Sequence, residues 1–187
     1  RPTSRRRWTS LSASRHSLPL TLLAAALAAG CARDSGSAPV VESSKAAGAP
    51  RLELKDLSGR SVRLSDFQGK VVLLDFWATY CGPCHESIPE FEALYRRYRP
   101  QGLEVIGVSM DAFTEHIKVF MDEKGMTYTV LLDPEQATQG PWAVRGLPTT
   151  VLLDRSGQVR KRWTGYDPAL KIEIEKEIAT LLREGNS

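Results

Sequence analysis

The stretch "LLDFWATYCGPCHESIPEF", Leu73 to Phe91, decides how the chain is read. Cys81, Cys84 and His85 spell C-x-x-C-H, the attachment pattern of c-type haem. Cys81-Gly82-Pro83-Cys84 also spells a redox dithiol. What precedes and follows separates the two readings. Val71 to Ala78, "VVLLDFWA", is a continuous apolar run that suits a buried central strand. From Gly82 onward the period changes, with Ile88, Phe91, Leu94, Tyr95 and Tyr98 at helical spacing. The cysteine pair is therefore predicted at a strand-to-helix junction. Pro89 falls inside that helix, where it removes one backbone bond and is expected to bend the axis.

A helix N-terminus carries roughly half a positive elementary charge together with free N–H groups. A cysteine held there favours its thiolate, with pKa values of about 3.5 to 7.5 against about 8.5 for a free thiol. Cys81 is the predicted nucleophile, and Cys84, one turn along and more shielded, the resolving thiol. Gly82-Pro83 fixes the turn between them. Asp75 lies six residues before Cys81 at an inward position of the strand. Burial penalises its charged form and should raise its pKa, which fits it to take the Cys84 proton. Trp77 and Tyr80 are placed to flank the pair.

Further along, "LEVIGVSM" (103–110) and "YTVLLD" (128–133) read as strands, with an amphipathic helix over 112–124 between them and Gly125 as its stop. "EQATQGPWAV" suggests a short helix interrupted at Gly140-Pro141. "TTVLLD", the turn "RSGQ" and "VRKRWTG" form a hairpin. A last helix over about 167–183 places Leu170, Ile174, Ile178 and Leu181 on one face. Ahead of the central strand, "RLELKDLSGRSVRL" predicts a short hairpin around Asp56-Leu57-Ser58-Gly59. Strands alternating with helices, then a hairpin and a helix, predict an α/β domain with a mixed central sheet flanked by helices, an N-terminal hairpin and an added strand–helix segment.

The chain has 187 residues, with 25 basic and 22 acidic side chains. Its excess charge is local. Residues 1–30 hold five arginines and no acid, so the remainder carries 20 basic against 22 acidic residues. No basic patch suggests nucleic acid. Residues 1–30 read as a signal peptide, with a basic start and an apolar run over Leu18–Ala29 that is too short to span a bilayer. Ala28, Ala29 and Gly30 ahead of Cys31 resemble a bacterial lipobox, which would make Cys31 a lipid attachment site. Residues 31–50, rich in Ser, Ala, Gly and Pro, read as a flexible tether, and 51–187 as the folded domain. With Cys31 lipidated, only Cys81 and Cys84 remain as thiols, too few for a disulfide framework and suited to a working pair.

"DFWATYCGPC", Pro89, "GLPTT" (146–150) and the closing hairpin and helix together resemble the thioredoxin superfamily. With the leader, "LSDFQGK" and the added strand–helix segment, the chain is most similar to the TlpA/ResA-like branch. The resemblance implies a thioredoxin fold, a cis Leu147–Pro148 bond that presents backbone to a substrate, and reduction of protein disulfides through Cys81 and Cys84. It implies a substrate surface of Trp77, Tyr80, Gly82, Pro83, Leu147 and Pro148. It also implies disulfide-containing protein substrates, apocytochrome c among them, and a membrane thiol-transfer donor of the DsbD/CcdA type. No cofactor and no metal are called for, and a lipid-anchored monomer on the periplasmic side of a bacterial membrane is expected. Three departures stand out: Tyr80 replaces a usual Trp, Asp75 matches the acid of thioredoxin itself, and Ser87 stands where the ResA-like branch has Glu.

Two rivals share parts of the pattern. A haem or metal module would use Cys81, Cys84 and His85, but needs them exposed around a large ligand or joined by further ligands. A peroxiredoxin-like peroxidase shares the opening segment, yet its reactive cysteine follows P-x-x-x-T-x-x-C, and Thr79 is only two residues before Cys81.

Overall fold

The computed structural model describes residues 48–184. The expected leader, Cys31 and most of the tether lie outside the described residues. Its last three positions are described, and the first of them, Gly48, bridges Gln158, so ordered structure starts slightly ahead of Arg51. β1 (Glu53–Asp56) and β2 (Ser61–Arg63) form the predicted hairpin. Its turn is built by one side chain: Asp56 Oδ1 accepts from the Ser58 N–H, the Ser58 hydroxyl and the Arg60 N–H, while Gly59 takes φ 81°. A D-x-S-G sequence recurs at Asp154–Gly157 with the same bonds, and Gly157 has φ 78°. A positive φ is open to glycine at no steric cost, and the Asx side chain replaces a backbone partner.

β3 (Val71–Trp77) and β4 (Leu103–Ser109) are buried along their whole length. They pair in parallel, as do β4 and β5 (Thr129–Leu132). β6 (Thr149–Leu153) runs antiparallel to β3 and to the edge strand β7 (Val159–Thr164). The result is a seven-stranded mixed sheet in the order β2-β1-β5-β4-β3-β6-β7. Both edges are poor templates: β2 has three residues, and β7 carries exposed Arg160, Lys161 and Arg162.

Period 2 along β3 separates two cores. Val71, Leu73 and Trp77 face the helices, packing with Ile88, Phe91 and Leu94 of α1 (Gly82–Tyr98) and Ile174, Ile178 and Leu181 of α3 (Pro168–Glu184). Asp75 shares that face. Ile117 and Phe120 of α2 (Ile117–Lys124) join the same core. Val72, Leu74 and Phe76 point the other way, against Leu52, Val62, Trp142 and Val144. Helix α1 runs unbroken through Pro89, and its last turn carries Arg96 and Arg97, which complement the negative end of the helix. At α3, the Asp167 carboxylate accepts from the Ala169 and Leu170 N–H groups ahead of Pro168.

Two expected helices differ. The helix predicted from Ala112 begins only at Ile117, because the Asp111 carboxylate is bonded to Thr79 and Ser109 and the Ile117 N–H closes a turn on Thr114. No helix forms over 135–144. There Asp133 accepts from the Ala137 N–H, the Thr138 N–H and the Thr138 hydroxyl, giving the backbone a local alternative to helical bonds.

Gly107 marks the tightest approach inside the sheet. A Cβ there would lie 2.7 Å from Trp77 Nε1 and 3.2 Å from Tyr128 Cε2, both on fully or almost fully buried rings. Gly107→Ala is expected to destabilise the protein by about 1–3 kcal/mol, since neither ring can move aside cheaply. Chemical denaturation of the two proteins measures this; an unchanged midpoint would contradict the packing.

Candidate active site

The segment "ATYC" turns the chain from β3 into α1, and three bonds hold the turn. Thr79 donates its N–H (3.0 Å) and hydroxyl (2.6 Å) to the Asp111 carboxylate, which also accepts from the Ser109 hydroxyl at 2.9 Å. His85 Nε2–H donates to the Thr79 carbonyl at 2.7 Å. The His85 ring meets Phe120 edge-on, and Phe120 stacks on Trp77. Asp111 was not singled out in the sequence. The available signal was a polar Ser109-x-Asp111 pair closing the largely apolar run of β4, level with the end of its neighbour.

This frame delivers Cys81 to the N-cap of α1 in an extended conformation, φ −85° and ψ 105°. The Cys84 N–H points at Cys81 Sγ over 3.3 Å. Pro83 has no N–H, so the Cys84 donor is the first-turn group that meets this sulfur. Cys81 and Cys84 are joined as a disulfide. Their exposure is unequal: Cys81 is 7% exposed and Cys84 not at all. Gly82, Pro83 and Tyr80 are exposed around the pair, Tyr80 to 71%. Ser87 is buried and donates to the Cys84 carbonyl.

Immediately ahead of β6, the Leu147–Pro148 bond is cis. Pro148 is buried and Leu147 half-buried. Trp77 is fully buried, so it forms part of the floor beneath the pair and presents no surface beside Tyr80.

Asp75 stands in register with Thr150 on one side and Gly107 on the other. It is completely buried. The Thr150 hydroxyl donates to Oδ1 at 3.1 Å, and Oδ2 has no partner among the described residues. Burial pushes this carboxyl from 3.8 up to about 7, opposed by the Thr150 bond. The hydroxyl of Tyr128, also buried and without a partner among the described residues, is pushed well above its ordinary value by burial and by the Asp75 charge. The site thus holds a carboxyl poised near neutrality on the sheet face that packs against the helix bearing Cys84. Among the described residues no group of three His, Cys, Asp or Glu side chains is arranged to hold a metal, and no helix is long and apolar enough to cross a membrane.

Comparison with known proteins agrees with this geometry. Residues 46–162 match the AhpC/TSA family. The chain is 38% identical over 117 residues to the thiol-disulfide oxidoreductase ResA of Geobacillus thermodenitrificans, covering 63% of this chain and 67% of the relative. It is 35% identical over 133 residues to ResA of Geobacillus kaustophilus, covering 71% and 75%. A crystal structure from Chlorobium tepidum, assigned as the thiol:disulfide interchange protein DsbE, superposes with a TM-score of 0.70 at 37% identity, over 73% of this chain and 96% of that one.

Proposed function

We propose how this chain works from the family it belongs to, the AhpC/TSA family of the thioredoxin superfamily and, within it, the ResA-like thiol–disulfide oxidoreductases. In our reading it reduces disulfides of exported proteins. The Cys81 thiolate attacks one sulfur of the substrate disulfide; a Cys81–substrate bond forms as the substrate S–S bond breaks, and the departing thiolate takes a proton. Asp75 accepts the proton of Cys84, whose thiolate attacks Cys81 Sγ. The second substrate thiolate leaves and is protonated. Two electrons have passed to the substrate, and the enzyme pair is closed. Tyr80, Gly82, Pro83, Leu147 and Pro148 form the docking surface.

The single observation that supports these roles most strongly is the unequal burial of the two cysteines at one helix tip: Cys81 keeps 7% exposure and its sulfur receives an N–H, while Cys84 is fully buried. Each cycle ends oxidised, so a donor must reopen the pair, and a membrane thiol-transfer protein of the DsbD/CcdA type fits that need. The proposed location is the periplasmic face of a bacterial membrane, with Cys31 as the lipid anchor. Apocytochrome c is the leading proposed substrate and general repair of exported disulfides the next.

The test is to isolate mixed disulfides from cells expressing Cys84→Ser, alongside a measurement of the pair's redox potential. Trapped partners rich in haem-ligating apoproteins support cytochrome maturation. A broad set of exported proteins supports general repair, and a potential too oxidising for the reduced pair to pass electrons to substrate disulfides overturns the reductive direction.

A further inference from the structure

Beside the cysteine pair lies a cavity of about 130 Å³ that the mechanism does not use. Its walls include Tyr80, Met110, Gln136, Gln139, Arg145 and Leu147. Tyr80 immediately precedes Cys81, and Leu147 belongs to the cis bond across the site. The cavity therefore opens where a bound chain would pass, within a residue or two of the sulfur under attack, given about 3.8 Å between successive Cα atoms.

Its outer wall is built to hold a fixed shape. Gln136, which lines it, has φ 54°, and Ala143, next to lining Val144, has φ 49°, a left-handed conformation that non-glycine residues adopt at a cost of about 1–3 kcal/mol and keep only where the surroundings enforce it. Asp133 supplies the enforcement. It is buried, its carboxylate binds residues 137 and 138, and its carbonyl accepts from the Gln136 N–H. The Gln136 side chain is in turn fastened through Nε2 to the Met110 carbonyl at 3.2 Å, at the cavity floor.

The charge is one-sided. Arg145 is the only ionisable cation or acid among the lining residues apart from the Tyr80 phenol. It is exposed and forms no ion pair or hydrogen bond among the described residues, whereas Arg155 and Arg162 are engaged by backbone carbonyls and Arg96, Arg97 and Arg160 by carboxylates. Glu135, next to Gln136 in the chain, lines a separate groove with Pro134 and Leu132. A rigid, side-chain-sized cavity with an unpaired guanidinium and amide groups at its wall is complementary to a carboxylate.

We propose that this cavity seats an Asp or Glu side chain flanking the target cysteine, so that the protein selects disulfide segments with an acidic neighbour. The proposal rests on the reductase reading given above. It makes Arg145 a specificity-determining residue, and the charge of the substrate flank the quantity it reads.

The test uses pre-reduced protein and peptides closed by one intramolecular disulfide, identical except for Glu, Gln or Lys beside the first cysteine. Single-turnover reduction is followed by stopped flow, with hydroxyethyl disulfide as the uncharged reference in each protein. The wild type is expected to reduce the Glu peptide about tenfold faster than the Lys peptide at low salt, with the ratio shrinking as salt rises. Arg145→Gln should bring the Glu-to-Lys ratio close to one, and Arg145→Glu should invert it. A ratio near one in the wild type, or one that Arg145→Glu leaves in place, overturns the assignment of the cavity. Failure to reduce even hydroxyethyl disulfide would remove the reductase reading and the cavity's role together.

Discussion

Cys81→Ser is expected to end insulin reduction by this protein, lowering the rate to that of uncatalysed exchange, a loss of roughly 10³-fold or more. Cys84→Ser should behave differently. It retains the sulfur at the helix tip, so it should form a mixed disulfide with substrate once and then stop, a covalent species visible by mass spectrometry. The asymmetry follows from position. Cys81 caps α1, receives the Cys84 N–H and keeps 7% exposure; Cys84 is completely buried. Both single variants lose turnover, so the distinguishing measurement is the first half-reaction. If Cys81→Ser formed the trapped species and Cys84→Ser did not, the two roles would have to be exchanged. The helix tip would then have no claim on the chemistry.

Asp75→Asn should alter both stability and rate, each with its own pH dependence. The folded-state pKa of Asp75 is raised by burial from 3.8 to about 7. Between these values the folded protein holds a proton that the unfolded chain has released, so the stability contributed by the neutral carboxyl is full below about pH 4 and is lost as pH rises towards 7. The interval corresponds to about 4 kcal/mol at full ionisation, an upper bound. The Asn variant cannot ionise and avoids that loss. Its stability should therefore match the wild type near pH 4 and exceed it increasingly up to pH 8, as read from denaturation midpoints. Activity should move the other way. A base must be ionised to accept the Cys84 proton, so the wild-type rate of mixed-disulfide resolution should rise with pH through about 7. Asp75→Asn should lose that limb and run slower by roughly 10²-fold. Equal resolution rates for the two proteins from pH 6 to 9 would remove Asp75 from the reaction and leave it a buried residue bonded to Thr150.

The parts of this molecule that were legible in the sequence are those governed by short-range periodicity. β3 and β4 announce themselves as apolar runs, α1 by the Ile88–Phe91–Leu94–Tyr95–Tyr98 spacing, and the two hairpin turns by D-x-S-G. The cysteine pair and the strand acid follow from the same elements, because a helix must begin just after β3 and period 2 puts Asp75 inward. What escaped depends on contacts between distant segments. The bond from Thr79 to Asp111 spans 32 positions and delays α2 by five residues from its expected start. The Asp133 carboxylate dissolves an expected helix by binding Ala137 and Thr138 near its start. The full burial of Trp77 depends on the missing side chain of Gly107 on the next strand, and no pattern within β3 reports it. Arg145 looks like any surface cation until Tyr80 and Gln136 are brought beside it.

The margins of the sheet carry a consequence if, as proposed above, the protein reduces disulfides in extended segments of other chains. Extended polypeptides seek unpaired strand edges, and an enzyme that holds them beside its own sheet risks recruiting them as extra strands. One border here is too brief to nucleate such growth. The other bristles with arginine and lysine that would have to be stripped of water and of their acidic neighbours first. Under that proposal, capture would be confined to a sulfur–sulfur bond, which the enzyme can undo, and kept from backbone ladders, which it cannot.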